Sequence, residues 1–190
     1  MTAALESDHP QEREWTTDDL DALPEDGRRR ELLDGVLLMS PSPTRMHQSI
    51  AALLMVALDE DCPDGYDVTQ AVGVRINRTR YFIPDVLVTT AAAAAREPSR
   101  YEPHEVVLAV EIVSPSTRSI DRVLKPALYA QAGIPFYWRI EIEDGLVVHT
   151  YKIDPVHEIY AETGRWTKFV DTGEPFPVNL PISRITPRRV

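Results

Sequence analysis

The fold is decided by two apolar stretches of the sequence, YFIPDVLV at residues 81–88 and VVLAVEIV at residues 106–113. Each is rich in β-branched and aromatic residues, which favours a strand, and each holds one carboxylate, Asp85 or Glu111. A buried, unpaired carboxylate is costly, so each acid needs a partner or marks the end of a strand. Two acids on adjacent strands would also form a ready site for a hard divalent cation.

Length and composition indicate one soluble globular domain. The chain has 190 residues, of which 43% are hydrophobic and 26% are charged, as is ordinary for a domain with its own core. Its single cysteine, Cys62, excludes an internal disulfide and a cysteine-rich zinc site, and makes a reducing, cytoplasmic location the default expectation. No apolar stretch approaches the ~20 residues of a membrane helix, so no membrane partner is expected.

The net charge of −10 weighs against tight non-specific binding of nucleic acid. Basic residues do cluster locally, at 28–30, 75–80 and 184–189. Each cluster alone is more typical of a solvated surface than of a binding site. A metal site that recruits phosphate is still compatible with this charge.

Periodicity and turn signals predict alternating helices and strands, hence a mixed α/β or α+β sheet domain over residues 15–190. Residues 1–14 are polar and acidic, without the apolar core of a signal peptide, and are predicted to be disordered. Asp34-Gly35 between two apolar runs predicts a β-hairpin. The other predicted elements are helices at 45–60, 91–95 and 119–132, strands at 66–76, 81–88, 106–113, 134–142 and 146–153, and short strands or extended packing towards the C-terminus.

Six segments in this order carry a resemblance to a known family. They are ELLDG at 31–35, His47 after Ser40-Pro41, Pro84-Asp85-Val86, EIVSPS at 111–116, Asp121 with Lys125, and Tyr129 through Gly133 to Tyr137-Trp138. Each is weak alone, but together they are fairly specific. From about Trp15 to the C-terminus, the chain resembles the PD-(D/E)xK nuclease superfamily and, more narrowly, the Uma-type family of bacterial endonucleases.

The resemblance implies a restriction-endonuclease-like fold: a mixed central sheet flanked by helices, with an extra N-terminal hairpin and C-terminal strands. It also implies a Mg²⁺- or Mn²⁺-dependent endonuclease that hydrolyses phosphodiester bonds in DNA. In this chain Asp85 and Glu111 would ligate the metal with the backbone carbonyl of Ile112, and Lys125 would orient the attacking water or neutralise charge on the phosphate. Nucleases that cut both strands often work as dimers, so a homodimer is a further expectation.

The chain departs from the superfamily pattern at its lysine. That lysine would stand two residues after Glu111, where this chain has Val113. Lys125 on the next predicted helix is the displaced candidate, as in the Uma-type pattern. Pro126 follows it directly, so the helix is expected to begin or kink near Lys125.

Structural alternatives exist for both acids. Asp85 can pair with Arg78 or Arg80 at a turn of the sheet, and Glu111 can form a salt bridge with Lys125 or Arg118. The presence of both acids together favours the metal role over these ion pairs.

The accessory residues have alternatives of their own. Glu31 can reach the metal from the hairpin or pair with neighbouring arginines. His47 can contact the phosphate or act as an acid, although a histidine on a helix flank is more often structural. Asp121 and Lys125 are spaced for an ion pair on a helix surface, and Tyr129 on the same face is more typical of packing than of chemistry.

A second function, of another class, fits the same residues. The missing lysine after Glu111 and the negative net charge are also what a non-catalytic domain on a degenerate nuclease fold would show. Such a domain would bind a protein or a nucleic acid through the surface around the former site.

Overall fold

The computed structural model describes residues 14–24, 26–39, 42–114, 118–143 and 145–188. The predicted disorder of residues 1–14 therefore falls, except for Glu14, outside the described residues. Among the helices that are described, none is long and apolar enough to cross a membrane.

The first part of the chain builds a five-stranded sheet. Its β1–β2 hairpin turns at Asp34-Gly35, where both residues have positive φ angles of 47° and 79°, as a two-residue hairpin turn requires. The predicted hairpin is thus confirmed. The strands are β1 (Arg30–Leu33), β2 (Val36–Met39), β4 (Gly73–Asn77), β5 (Arg80–Phe82) and β7 (Arg100–Tyr101), in the order β2-β1-β5-β4-β7.

The central sheet has six strands. They are β3 (Tyr66–Gln70), β6 (Val86–Thr90), β8 (Val106–Ile112), β9 (Phe136–Glu141), β10 (Val147–Asp154) and β11 (Ile159–Trp166), in the order β11-β10-β9-β8-β6-β3. Strands β8 and β9 pair in parallel, and the other neighbours pair antiparallel. A separate hairpin, β12 (Phe169–Thr172) with β13 (Val178–Pro181), completes the C-terminal part.

Helices flank the central sheet, as predicted. A reciprocal capping box between Thr16 and Asp19 starts the first of them. The helices are α1 (Thr17–Asp21), α2 (Arg45–Glu60), α3 (Ala91–Ala94) and α4 (Lys125–Gln131). The predicted helix at 45–60 matches α2 at both ends, and α3 confirms the short helix near residue 91.

Alternate residues of the central strands face two separate cores, because successive side chains of a strand point to opposite faces. In β6, Val86 and Val88 belong to the core that α2 covers through Leu54, whereas Leu87 belongs to the core that contains Tyr129 of α4. The continuous apolar runs of the sequence therefore reflect a sheet buried on both sides.

Two predicted strands are each divided between the two sheets. The run 66–76 breaks at Ala71, whose φ is 56°, into β3 and β4. The run 81–88 breaks at Ile83-Pro84-Asp85 into β5 and β6, since proline cannot donate to a ladder in the middle of a sheet. Asp85 therefore lies directly before β6, not at the centre of one long strand. The eight-residue strand β11 was not predicted, because the short C-terminal strands were expected only from Trp166 onward.

The predicted helix at 119–132 changes its winding at Lys125. Residues Ile120–Leu124 form a π-helical turn, in which the Lys125 N–H donates to the carbonyl of Ile120, and α4 begins at Lys125 itself. Pro126 thereby falls in the first turn of α4, where the missing N–H costs no helix hydrogen bond. The helix thus begins at Lys125, as the position of Pro126 predicted.

Candidate active site

Asp85 and Glu111 lie at the same end of the β6–β8 ladder. The antiparallel register pairs Val86 with Val110, and the Asp85 N–H donates to the Val110 carbonyl at 3.0 Å. Asp85 directly precedes β6, and Glu111 is the next residue of β8 after Val110. Their relative exposures are 5% for Asp85 and 2% for Glu111.

Asp85 is held by cationic and backbone donors. Its Oδ1 lies 3.2 Å from Nη1 of Arg29, and its Oδ2 accepts the Ile112 N–H at 2.8 Å and lies 3.1 Å from Nε2 of His47. Burial would raise the pKa of Asp85, but His47 and Arg29 together hold it below its usual value. Burial likewise opposes the charged form of His47, yet Asp85 and a backbone hydrogen bond to Ile112 raise the pKa of this histidine.

Lys125 lies at the centre of a buried acidic cluster. Its Nζ is 3.0 Å from Oε1 of Glu31, 3.0 Å from Oε1 of Glu111 and 3.8 Å from Oδ1 of Asp121. The lysine side chain is only 4% exposed. Burial alone would lower the pKa of Lys125, but the surrounding carboxylates, Glu111 first, raise it above the usual value. The lysine is therefore a permanent positive charge in this cluster.

The five residues singled out from the sequence come together. Asp85, Glu111, Lys125, Glu31 and His47 form one buried or nearly buried group. It joins β1, α2, the start of β6, the end of β8 and the start of α4.

The structure shows which of the alternative ion pairs form. Arg80 pairs with Asp34 instead of Asp85, and Arg118 pairs with Glu143 instead of Glu111. The alternative salt bridge between Glu111 and Lys125 is present. The Asp121–Lys125 pair is buried, so it is not an ion pair of a helix surface.

The comparison with protein families decides the identity of the chain. The family model Uma2, described as "Putative restriction endonuclease", matches residues 17–166. The chain belongs to the Uma2 family. The resemblance inferred from the sequence is thus confirmed.

The fold of this Uma2 chain is found in solved structures. A crystal structure titled as a putative nuclease belonging to DUF820, from Anabaena variabilis ATCC 29413, is similar to it with a TM-score of 0.69. The match covers 90% of this chain and 97% of that chain at 18% sequence identity, so it is evidence of fold alone. The predicted restriction-endonuclease-like fold is therefore confirmed. A search of curated proteins returned no match.

Three residues of this Uma2 site were not predicted to act in it. Arg29 belongs to a cluster interpreted as solvated surface, Asp121 to a surface pair, and Tyr129 to packing. Arg29 and Glu31 are two residues apart in an extended segment, which puts their side chains on one side of the chain, and this spacing could have indicated Arg29. The i, i+4, i+8 spacing from Asp121 through Lys125 to Tyr129 similarly puts all three on one helix face.

The oxygen atoms at the Uma2 site suit a hard divalent cation. Both contacts of Glu111, to Lys125 and Tyr129, use Oε1, and Oε2 makes no hydrogen bond or ion pair with any described residue. The Ile112 N–H points to Asp85, and in an extended strand the carbonyl of the same residue points to that side too. Burial raises the pKa of Glu111 to about 8, although Lys125 opposes this rise.

The same donors do not suit zinc. Within the described ranges, no three His, Cys, Asp or Glu side chains are grouped to hold a metal ion. Mg²⁺ is commonly bound through one or two carboxylates and several waters, whereas protein zinc sites use three or four nitrogen, sulfur or oxygen side-chain ligands. Asp85, Glu111 and the Ile112 carbonyl are the oxygen ligands here that could hold Mg²⁺ or Mn²⁺.

Tyr129→Phe is expected to lower the free energy of unfolding by about 1–3 kcal/mol. The Tyr129 hydroxyl donates to Oε1 of Glu111 at 2.7 Å in a fully buried position, so its loss leaves this carboxylate with one partner fewer. Urea denaturation measures the change. The matched control is Tyr101→Phe, because Tyr101 is also buried but its hydroxyl makes no hydrogen bond within the described part of the chain. Equal effects of the two substitutions would contradict a structural role for the Tyr129–Glu111 bond.

Proposed function

We propose that this Uma2 protein is a Mg²⁺- or Mn²⁺-dependent endonuclease that hydrolyses phosphodiester bonds in DNA. The observation that carries the proposal is that Asp85 and Glu111 lie at one end of the β6–β8 ladder, with the buried Nζ of Lys125 at 3.0 Å from Glu111. When held by Asp85, Glu111 and the Ile112 carbonyl, the divalent cation would lower the pKa of a water molecule and polarise a phosphoryl oxygen.

Lys125 supplies positive charge where negative charge develops on the phosphate. Its position is set before any substrate arrives, since Glu31, Glu111 and Asp121 surround its Nζ. A charge that is already oriented in a water-poor site stabilises a transition state more strongly than a mobile charge on the surface.

Glu31 is assigned to holding Lys125 and not to binding the metal. Its Oε1 accepts the Ile83 N–H at 2.8 Å and also lies 3.0 Å from Nζ of Lys125. The same carboxylate therefore ties the lysine to the chain segment that leads into Asp85. This arrangement keeps the lysine and the first metal ligand in a fixed relation.

His47 and Arg29 are assigned to orienting Asp85. Both contact its carboxylate directly, at 3.1 Å and 3.2 Å, and their charge keeps Asp85 ionised and ready to bind a cation. Arg29 additionally donates to the Ile83 carbonyl, so the turn before β6 is held through its backbone as well.

Cleavage assays test the proposal directly. With Mg²⁺ or Mn²⁺ the protein is expected to cut supercoiled, linear duplex or single-stranded DNA, and with EDTA to cut none. Glu111→Gln is expected to lose this activity because it removes a metal ligand while keeping the side-chain shape. Glu60→Gln is the matched control, since Glu60 is an exposed carboxylate on α2 that pairs with Arg184. The proposal fails if no DNA form is cut, or if Glu111→Gln cuts as fast as wild type.

Cutting both strands of a duplex would call for a second active site. A homodimer stays a prediction from the sequence, to be tested by sedimentation. A cytoplasmic location also stays a prediction, to be tested by fractionation of cells.

A further inference from the structure

A groove lies next to the π-helical turn, on the face of the central sheet that carries Glu111. It consists of two adjoining cavities of about 430 Å³ and about 240 Å³, and both are lined by Arg122 and Arg139. Asp121 and Arg122 are consecutive on this turn, and they reach in different directions: Asp121 towards Lys125 and Arg122 towards Glu141 on β9. The groove, called here the β9–β11 groove, is lined by Arg122, Arg139, His149, Tyr151, Tyr160 and Arg165.

The strand register aligns this groove with the candidate active site. In this register, Glu111 on β8 pairs with Arg139 on β9. Arg139 pairs in turn with His149 on β10, and His149 pairs with Arg165 on β11. Residues in register share one face of the sheet. Because neighbouring strands are about 4.8 Å apart, the row from Glu111 to Arg165 is roughly 14 Å long. The basic residues are thus a direct continuation of the row that begins at Glu111.

The arginines that line the groove are only partly paired with carboxylates. Arg122 binds Glu141 through Nε at 2.9 Å and Nη2 at 2.7 Å. Nε of Arg139 is 3.0 Å from the same carboxylate, but it is poorly aligned and has no hydrogen-bond partner within the described residues. Arg165 is exposed and forms no ion pair with any described residue. The Glu141 carboxylate therefore lies beside two guanidinium groups, those of Arg122 and Arg139. The guanidinium group of Arg165 has no carboxylate partner among the described residues.

The residues that line the groove include three arginines and two carboxylates, although the chain as a whole carries −10. Salt bridges to neighbouring glutamates cancel only part of the arginine charge. The arginines in and around the groove are Arg118, Arg122, Arg139 and Arg165, and the carboxylates are Glu141, Glu143 and Glu162.

Aromatic rings form the adjoining part of the groove. The guanidinium carbon of Arg139 lies 5.4 Å from the centre of the Tyr151 ring. Tyr137 lies beneath, with its ring centre 5.7 Å from that of Tyr151 and 5.5 Å from that of Tyr160. The His149 ring also stacks on Tyr151, with ring centres 6.4 Å apart. Tyr151 and Tyr160 are half-buried, so each is supported by neighbouring rings and leaves part of its surface exposed. Aromatic rings beside a basic track are the arrangement that binds single strands, through base stacking and phosphate contacts.

We propose that the β9–β11 groove binds a single-stranded segment of the DNA substrate, with its phosphates on Arg122, Arg139 and Arg165 and a base stacked on Tyr151. The proposal rests on the proposed nuclease function and names the form of its substrate. The row is long enough for several phosphates of one strand, which rise by about 3.4 Å each in a stacked strand. Its alignment with Glu111 would lead the strand towards the cutting site.

Binding without cleavage tests the groove. The full-length protein is titrated into a fluorescein-labelled oligothymidylate in EDTA, and fluorescence anisotropy is followed at several salt concentrations. Arg165→Gln is expected to reduce the slope of log K against log salt by about 0.7, the value for one phosphate of a single strand. Tyr151→Leu is expected to weaken binding about tenfold, and Tyr151→Phe to keep it, because stacking needs the ring and not the hydroxyl.

Arg78→Gln is the matched control. Arg78 is exposed like Arg165 but lies in the turn between β4 and β5 of the other sheet, so the same loss of charge there is expected to leave the affinity unchanged. The proposal is overturned if wild type does not bind the oligonucleotide, if Arg78→Gln and Arg165→Gln weaken binding equally, or if Tyr151→Leu binds like wild type. Tighter binding of a blunt duplex than of the single strand would also overturn it. Because no metal is present, these results are independent of whether the protein cuts DNA.

Discussion

Lys125→Met is expected to lower the free energy of unfolding by about 3–5 kcal/mol, the cost of breaking a buried ion pair from one side. The methionine fills the volume of the lysine stem but removes its charge. Glu31, Glu111 and Asp121 then lose the ammonium group that lies between them, and none of these side chains is more than 6% exposed. Water cannot take the place of the ammonium group in such a site, so the carboxylates must take up protons or the cluster must open.

Urea denaturation measures this loss, and a surface lysine provides its control. Lys152 forms an ion pair with Glu174 in which both side chains are about half exposed, and Lys152→Met is expected to cost about 0–1 kcal/mol. Adding Glu111→Gln to Lys125→Met should recover part of the lost stability, because it removes one of the unbalanced charges. If Lys125→Met costs no more than Lys152→Met, Lys125 is not the counter-ion of this cluster.

The same substitution should slow DNA cleavage more than its effect on stability explains. At a temperature where the variant is folded, a loss of about 10²- to 10³-fold is expected, as for other preorganised groups that stabilise transition-state charge. Glu111→Gln added to Lys125→Met should restore stability in part but no activity. This difference separates the chemical role of the lysine from its structural role.

Elements with a strong local pattern could be predicted from the sequence. Helix α2 has Thr44 as its cap and an apolar face at helical spacing, and the first hairpin has Asp34-Gly35, so both follow from nearby residues alone. The break at Ala71 could not be located in this way, because it depends on which sheet each half of the run joins. The break at Pro84-Asp85 did have a local signal, since proline cannot donate to a ladder in the middle of a sheet.

In the candidate site, too, some residues could be predicted from the sequence and others could not. Asp85 and Glu111 could be predicted to meet because each interrupts an apolar strand, where an unpaired carboxylate is costly. The spacing of Arg29 and Glu31 could have indicated Arg29, but not its partner, because its contact with Asp85 joins segments 56 residues apart. The reach of Lys125 depended on how the chain winds around Pro126, and the π-helical turn that directs it has no local signature.

Asp85→Asn is expected to abolish measurable binding of Mn²⁺ and to lower the cleavage rate at least about a hundredfold, because it removes a charged metal ligand. The fold should survive this change. An asparagine oxygen can still accept the Ile112 N–H that Asp85 accepts at 2.8 Å, and the shape of the side chain is the same. The loss of charge next to Arg29 and His47 also removes a partner of both cations, so a moderate loss of stability is expected.

Calorimetric titration of the purified protein with Mn²⁺ tests the central claim most directly. Wild type is expected to bind the ion with a measurable heat, and Asp85→Asn and Glu111→Gln to show none, while Glu60→Gln on the outer face of α2 binds like wild type. Absence of binding in wild type, or equal binding in the Asp85→Asn protein, would contradict a metal-dependent site. Either result would favour a non-catalytic binding domain on this nuclease fold.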